Sequence, residues 1–423
     1  MSKLFVQGTA FDKAISNIND ATFVQEIHDK FDENFKTMYR LPSQAWPDLL
    51  GGRSMVIVGR ESSGKTLSYL PAILSSIVSD IEKDNEDSSD VEVGPVGIII
   101  VNSCSEAEVI VKHINKLVSH DLRTVKITSK FNCAIKKIKA NTCDLLITTP
   151  ECFLRLVVRN NRLKYLVIDE SLGMKKELLN NIIVTCTSGK NHPELNPQII
   201  VTSTTWSEKL EAFMELSCNP IVVIGCLVEA AVYAKCHFQI VTDSFENKFD
   251  RLLHILQQPP WQLVKTLVVF DHQNELNYIA HRLKTCNIPF LAQDEEIDNM
   301  SKIGWETQES DEMTVLLATD LSISNSNLRK VQLLIHFSLP KKWSTFSDRF
   351  LVMVNRFQKS MEVNEETNEG KTTTVIMLDN KNVELLPQVI EFVEERKLVK
   401  VPKFDLIKVN IIPTFEFSNF EDF

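Results

Sequence analysis

Short runs of β-branched and aliphatic residues recur along the first half of the chain. They are Met55–Val58, Val96–Val101, Thr124–Ile127, Leu145–Ile147, Tyr165–Ile168 and Ile199–Thr202. The segments between them carry helical spacing, as in the apolar positions of residues 106–117. Uninterrupted apolar runs are typical of strands covered on both faces, and their alternation with helices indicates a parallel sheet. We therefore predict an α/β domain with a doubly wound parallel sheet.

The second half of the chain repeats this pattern after one long apolar segment that runs from Pro220 to about Lys248. Its strand-like runs are Thr266–Phe270, Thr314–Ala318, Leu333–Phe337 and Thr373–Leu378. We predict two tandem lobes, at residues 1–220 and 246–405, with a linker at 221–245 and a tail at 406–423. Two acidic interruptions, Asp80–Val93 and Glu362–Glu369, are polar enough to be solvated loops.

The charge balance bears on possible partners. The 423 residues include 46 Lys and Arg against 56 Asp and Glu, a formal net charge of −10. A balance of this sign argues against binding nucleic acid by bulk charge, since phosphate contacts need a basic surface. The segment Asp80–Val93 alone holds seven acids and one Lys, however. A local basic groove therefore stays possible, and the most basic stretch of the first lobe is Lys126–Lys139.

Neither the cysteines nor the apolar stretches indicate export or a membrane. The nine cysteines are scattered and never spaced as C-x-x-C, which is typical of a reducing compartment. The N-terminus lacks the apolar region of a secretory signal. The longest apolar stretch, Ile221–Ala234, contains Glu229 and is shorter than the ~20 residues that span a bilayer. We expect a cytoplasmic protein without a membrane partner.

A phosphate-binding motif follows the first predicted strand. The residues Gly59-Arg60-Glu61-Ser62-Ser63-Gly64-Lys65-Thr66 satisfy G-x-x-x-x-G-K-[ST] and precede the helical run Leu67–Val78. Backbone N–H groups of such a loop, with the helix N-terminus, surround a phosphate. Lys65 is expected to contact the β- and γ-phosphates, and the Thr66 hydroxyl to bind Mg²⁺. The motif predicts ATP and Mg²⁺ as ligands.

Two carboxylates, Asp169 and Glu170, follow the predicted strand Tyr165–Ile168. In nucleotide-binding proteins of this class, the Asp holds Mg²⁺ through water and the Glu orients the attacking water. A strand-terminal acidic pair standing alone would be read as merely solvated. Because Lys65 lies upstream on a strand–loop–helix unit, the functional interpretation is favoured.

Taken in order, these motifs resemble those of the DEAD-box RNA helicases over roughly residues 20–400. Gln44-Ala45-Trp46-Pro47 resembles the approach to that family's phosphate loop. The family's T-P-G-R, D-E-A-D and S-A-T motifs have counterparts in Thr148-Thr149-Pro150-Glu151, Asp169-Glu170-Ser171-Leu172 and Ser203-Thr204-Thr205-Trp206. In the second lobe, Thr266–Phe270 and Leu317-Ala318-Thr319-Asp320-Leu321 look like further family motifs.

The resemblance implies a superfamily 2 helicase core of two RecA-like lobes that bind MgATP between them and act on single-stranded RNA without sequence preference. It assigns catalysis to Lys65, Asp169, Glu170, Ser203 and Thr205. It also assigns RNA contacts to Thr149, Pro150 and Thr319, and Lys136, Lys137 and Lys139 are further, individually ordinary, candidates.

Several positions depart from the family pattern. Ser324-Asn325-Ser326-Asn327 stands where the family has R-G-x-D, and Val101–Ser105 replaces P-T-R-E-L. In the family's H-R-x-G-R-x-x-R motif, the first arginine is kept as Arg349. The other two arginines, which are the arginine fingers, are replaced by Val352 and Asn355. Arg356 lies one position after the second finger. Pro42 occupies the position of the adenine-sensing Gln, for which Gln44 could substitute after a local shift. An arginine finger contributes about 10³–10⁵ in rate.

An intact first lobe beside an eroded second lobe resembles the Tudor-domain helicase-like proteins of the piRNA pathway, including the Yb-type proteins. That resemblance implies germline transposon silencing, protein partners in a silencing complex, and perinuclear germ granules within the cytoplasm. Two functions stay open: an ATP-dependent RNA helicase, and a pseudo-helicase that serves as a platform for RNA and proteins. A P-loop kinase or metabolic ATPase would leave the second-lobe motifs unexplained.

Overall fold

In the structure, which is a computed structural model, the chain forms two compact units. The structure describes residues 4–8, 11–35, 38–87, 94–118, 122–127, 143–155, 162–187, 196–216, 220–245, 247–257, 264–292, 315–325, 328–361, 372–379, 384–396 and 398. The first unit comprises residues 1–235 and 347–362, and the second comprises 236–346 and 363–423. The chain therefore passes from one unit to the other three times, after residues 235, 346 and 362.

The first unit contains an eight-stranded sheet. Its strands are β1 Phe5–Gln7, β2 Met55–Val58, β3 Gly97–Ile100, β4 Thr124–Ile127, β5 Leu145–Thr148, β6 Tyr165–Ile168, β7 Gln198–Ser203 and β8 Ile221–Ile224. They lie in the order β1-β8-β2-β7-β6-β3-β5-β4, with only β1 antiparallel to its neighbour among these strands. The central strands β2, β3 and β5 are buried throughout, because helices cover both faces of the sheet.

The helices of the first unit alternate with these strands. They are α1 Gln25–Asn34, α2 Arg40–Leu50, α3 Lys65–Asp87, α4 Cys104–Leu117, α5 Pro150–Arg155, α6 Lys176–Thr187, α7 Glu208–Leu216 and α8 Leu227–Tyr233. Since the strands are parallel, their carboxyl ends meet at one edge of the sheet, where β2, β6 and β7 end side by side.

The second unit contains a six-stranded parallel sheet. Its strands are β9 His237–Thr242, β10 Thr266–Phe270, β11 Phe290–Ala292, β12 Val315–Thr319, β13 Leu333–His336 and β14 Thr373–Leu378, in the order β11-β12-β10-β13-β14-β9. The helices that follow β9 along the chain are α9 Lys248–Gln257, α10 Gln273–Thr285, α11 Asp320–Asn325, α12 Trp343–Arg349, α13 Val354–Met361 and α14 Leu386–Glu395. Helix α12 begins in this unit and ends in the first, to which α13 also belongs.

The prediction of two α/β lobes with doubly wound parallel sheets is confirmed, but the boundaries differ from those predicted. The predicted linker 221–245 is regular structure: β8 is a core strand between β1 and β2, α8 follows it, and β9 is an edge strand of the second sheet. The sequence does not reveal the boundaries between β8, α8 and β9, because they lie in one continuous apolar run. Periodicity alone cannot distinguish a buried strand from a buried helix.

The predicted acidic loop at Asp80–Val93 is also different in the structure. Residues 80–87 continue helix α3. Asp80 is only partly exposed, and its carboxylate accepts a hydrogen bond from the Tyr165 hydroxyl (2.9 Å) and lies 3.4 Å from the Lys164 ammonium. Residues 88–93, the acidic segment 362–369 and the tail 406–423 lie outside the described residues.

Two further sequence expectations concern cysteines and membranes. The described cysteines 104, 143, 152, 186, 226, 236 and 286 are all free thiols, and those other than Cys104 and Cys286 are buried. Within the part of the chain that the structure describes, no helix is both long and apolar enough to cross a membrane.

Candidate functional site

The phosphate loop connects β2 to α3 at the carboxyl edge of the first sheet. Ser62 and Gly64 have positive φ angles of 56° and 91°, a region that favours glycine. A Cβ atom on Gly59 would lie 2.6 Å from the Ser63 hydroxyl oxygen. The Gly59 N–H donates to the Ser203 carbonyl (3.0 Å), which fixes the loop to the end of β7. The loop therefore depends on both of its glycines.

Lys65, the first residue of α3, brings its ammonium group to the carboxylates. Its Nζ donates to the carbonyl oxygens of Gly59 (2.7 Å) and Arg60 (3.1 Å) and lies 3.2 Å from Oε2 of Glu170. A cation held in this way at a helix N-terminus attracts a phosphate strongly.

Asp169 follows β6 and points toward α3. Its Oδ2 accepts from the Tyr69 hydroxyl (2.9 Å) and its Oδ1 from the Thr202 hydroxyl (2.6 Å). Burial raises the pKa of Asp169 above its ordinary value, although these two hydrogen bonds oppose the shift. Burial also raises the pKa of Tyr69 well above its ordinary value, so the phenol stays protonated and donates.

Glu170 is held by residues at the carboxyl ends of β3 and β7. Its Oε1 accepts from the Thr204 N–H (2.7 Å) and its Oε2 from the Thr204 hydroxyl (2.8 Å). Its backbone has a positive φ of 54°, unusual for a non-glycine residue. The Asn102 amide donates to its carbonyl (2.6 Å), and its N–H donates to Thr202 (2.9 Å), which together fix this conformation.

The residues of the loop fit a magnesium-bound triphosphate. Among the described residues, the Ser63 hydroxyl oxygen is buried within the loop and has no hydrogen-bond partner, as expected for a group that would face a phosphate. Thr66 hydrogen-bonds Tyr69, which in turn donates to Asp169. Thr66 and Asp169 would hold Mg²⁺, and Lys65 the phosphates; the bound ion would neutralise charge on the triphosphate. The individual roles of Gly59–Thr66 stay predictions.

The S-A-T counterpart lies at the end of β7. The Ser203 hydroxyl accepts weakly from the Thr205 N–H (3.4 Å), and the Ser203 carbonyl holds the phosphate loop. The residue between them, Thr204, contacts both Glu170 and Lys65, with its hydroxyl oxygen 3.3 Å from the Lys65 ammonium. The structure thus brings Lys65, Asp169, Glu170 and Ser203 together and adds Thr204.

Four site residues were not singled out from the sequence: Tyr69, Asn102, Thr202 and Thr204. Two carried a signal. Tyr69 lies one helical turn after Lys65, on the same face of α3, and Thr204 places a hydroxyl where the resembled motif has alanine. Thr202 and Asn102 carried none, because their contacts depend on which strands are neighbours in the sheet.

The predicted RNA contacts have local partners. Thr149 lies between β5 and α5, and its carbonyl accepts from the Phe153 N–H (2.9 Å), while Pro150 is buried. In the second unit, the Thr319 hydroxyl lies 2.9 Å from that of Ser322. Lys126 pairs with Glu108 (3.2 Å), and Lys136, Lys137 and Lys139 lie outside the described residues. RNA contact by these residues stays a prediction.

The counterparts of the arginine fingers lie in the segment that belongs to the first unit. Val352 is 1% exposed, in a 3-10 turn (Phe350–Met353) that packs against α8. The Ser347 hydroxyl accepts from the Val228 N–H (3.3 Å). Arg349 is buried and Asn355 is exposed. Residues 326–327 of the degenerate R-G-x-D counterpart lie outside the described residues.

Fold and site together are those of a P-loop protein with two RecA-like α/β lobes. Residues 39–213 match the family model of the DEAD/DEAH box helicases. This match agrees with the resemblance to the DEAD-box helicases that the sequence motifs predicted.

Three similar proteins are each named "Putative ATP-dependent RNA helicase". They are TDRD12 of Bombyx mori, 28% identical over 92% of this chain, BoYb of Drosophila melanogaster, 21% over 86%, and TDRD12 of Homo sapiens, 24% over 85%. This chain spans 22%, 37% and 32% of their lengths, respectively. Among solved structures, the ADP-bound RNA helicase Prp28 of Chaetomium thermophilum is 15% identical with a TM-score of 0.48, and the match covers 95% of this chain and 93% of that one.

Proposed function

We propose that this chain is an ATP-dependent RNA helicase-type ATPase that binds MgATP at the phosphate loop of its first unit. One observation carries the proposal: the Lys65 ammonium lies 3.2 Å from a Glu170 carboxylate that Thr204 holds in place. A phosphate-binding cation beside an oriented carboxylate is the arrangement that ATP hydrolysis requires. RNA as the partner comes from the family of the domain and from the names of the relatives.

The biological setting is part of the same proposal. The resemblance to Tudor-domain helicase-like proteins supports a role in piRNA silencing, in the cytoplasm and its germ granules, with protein partners. The chain spans between 22% and 37% of the length of these relatives, so the proposal concerns their helicase-like part.

The alternative is a platform that binds nucleotide and RNA without turnover. The buried Val352 favours it, since this position supplies no cation to a developing phosphate charge. Loss of an arginine finger slows hydrolysis by about 10³–10⁵ in this reaction class.

MgATP affinity and phosphate release, measured on one preparation with and without single-stranded RNA, test the proposal. In Glu170→Gln, we expect turnover to disappear while MgATP binds at least as tightly, because a negative charge beside Lys65 is removed. The exposed Glu208→Gln is the matched control and should behave as wild type. RNA-stimulated turnover supports the enzyme, binding without turnover selects the platform, and absence of nucleotide binding contradicts both.

A further inference from the structure

The first turn of α2 borders the phosphate loop away from the carboxylates. A Cβ atom on Gly64 would lie 3.2 Å from the Tyr39 Cβ and 3.3 Å from the Pro42 ring, and one on Gly59 would lie 2.6 Å from Leu41 Cδ1. Lys65, in contrast, faces Glu170 and Thr204. Because the γ-phosphate and Mg²⁺ need the carboxylates, the nucleoside end of a bound nucleotide would extend from the loop along α2.

The hydrogen-bonding side chains in the middle of α2 are used by the N-terminal segment of the chain. The Gln44 amide, in a side chain only 7% exposed, donates to the Asp12 carbonyl (3.0 Å). The Ser43 hydroxyl donates to the Ile15 carbonyl, and the buried Asp48 carboxylate accepts from the Asp12 N–H (3.1 Å). Gln44, the substitute suggested by the sequence for an adenine-reading amide, is therefore committed to the chain's own backbone.

The first turn of α2, which would face the nucleoside, offers other side chains than an amide. Tyr39 is 44% exposed, Arg40 is exposed, and Pro42 has no donor. An aromatic ring stacks on every base, because all bases have a π face. Neither the phenol nor the guanidinium offers the paired donor and acceptor of an amide, which an adenine edge requires.

We propose that this nucleotide site accepts nucleoside triphosphates with little regard to the base. It holds them through the triphosphate and through stacking on Tyr39. The inference rests on the proposed function, since it concerns the same site. A site that reads a base edge through hydrogen bonds rejects the wrong partner by about 10⁴–10⁵. Where no side chain hydrogen-bonds the base edge, the affinities of the different nucleotides should differ only through the area of the base that stacks on the ring.

Equilibrium binding of the magnesium complexes of ATP, GTP, CTP and UTP to the full chain tests the inference. We expect the dissociation constants to fall within about tenfold of one another, with purines tighter because they offer a larger face for stacking. Tyr39→Ala should weaken all of these nucleotides by about tenfold. Tyr278→Ala is the matched control, because Tyr278 is another exposed tyrosine, on α10 in the second unit.

The possible failures are distinguishable. A preference for ATP over GTP of about a hundredfold or more, or wild-type affinity in Tyr39→Ala, overturns the inference and leaves the proposed ATPase intact. Base-indifferent binding without RNA-stimulated turnover supports the inference and contradicts the enzyme. Failure of every nucleotide to bind overturns both.

Discussion

Thr204 connects the phosphate-binding cation to the carboxylate that would orient water. Its hydroxyl donates to Glu170 Oε2 at 2.8 Å and accepts from the Lys65 ammonium at 3.3 Å, while its N–H donates to Glu170 Oε1. Replacing the hydroxyl by a methyl group leaves the backbone hydrogen bond in place. The Glu170 carboxylate then keeps one of its two contacts with Thr204 and gains rotational freedom.

We expect Thr204→Val to lower the turnover number about tenfold, because hydrogen bonds to charged groups contribute about 1.5–3 kcal/mol. Nucleotide affinity should change little, and Thr204→Ser should restore turnover. Steady-state kinetics together with equilibrium binding separate the two effects. Thr185→Val, a hydroxyl removal on the exposed face of α6, is the control. Unchanged turnover in Thr204→Val would show that the hydroxyl does not position Glu170.

Asp169 has a raised pKa, so on acidification it takes up a proton at a higher pH than an ordinary aspartate would. Mg²⁺ needs the ionised carboxylate, and affinity for the ion should therefore fall as pH decreases through this raised pKa. The Tyr69 hydroxyl donates to the ionised form and so lowers the pKa. In Tyr69→Phe we expect the loss of Mg²⁺ affinity to shift to higher pH. Magnesium titrations of nucleotide binding across pH would measure this, and an opposite shift would contradict it.

At the scale of elements, the inner strands could be predicted because burial on both faces leaves a clear apolar run. The inner strands β2, β6, β10 and β14 match their predicted ranges, and so does the edge strand β4. The short edge strands β1 and β11 were not predicted, since three residues carry too little pattern. The site residues also differ in how far they could be predicted. The phosphate loop and the two carboxylates form short sequence motifs and could be predicted. The contact of Thr202 with Asp169 could not, because it depends on the pairing of β6 with β7.

The turn Phe350–Met353 shows how a family position can change its environment. Val352 is buried in the first unit, so an arginine placed there would put an unpaired charge among apolar side chains. We expect Val352→Arg to lower the free energy of unfolding by about 3 kcal/mol or more and to give no gain in ATP turnover.

Asn355→Arg is the matched change, because it restores the other finger position on an exposed residue of the same segment. Its free energy of unfolding should stay within about 0.5 kcal/mol of wild type. Urea denaturation of both variants measures the difference. Equal stability of the two variants, or faster hydrolysis in Val352→Arg, would mean that Val352 is not a packing residue.

For the whole molecule, the first unit is assembled from two stretches that are distant in sequence. Residues 347–362 add buried Phe350, Val352 and Met353 to the unit, and the Phe357 ring packs against Phe5 with centroids 5.9 Å apart. Fully burying one such side chain contributes about 1.5–3 kcal/mol. A fragment that stops at residue 245 keeps the phosphate loop and both carboxylates but lacks this packing against α8.

We therefore expect fragment 1–245 to unfold at a lower temperature than the same fragment mixed with a peptide of residues 347–362. Tryptophan fluorescence would follow the transition, since this fragment contains only Trp46 and Trp206, and both are buried. A peptide carrying Phe350→Asp is the control and should give no stabilisation, because its carboxylate would be buried without a partner. If both peptides raise the midpoint equally, or neither does, residues 347–362 are not an integral part of the first unit.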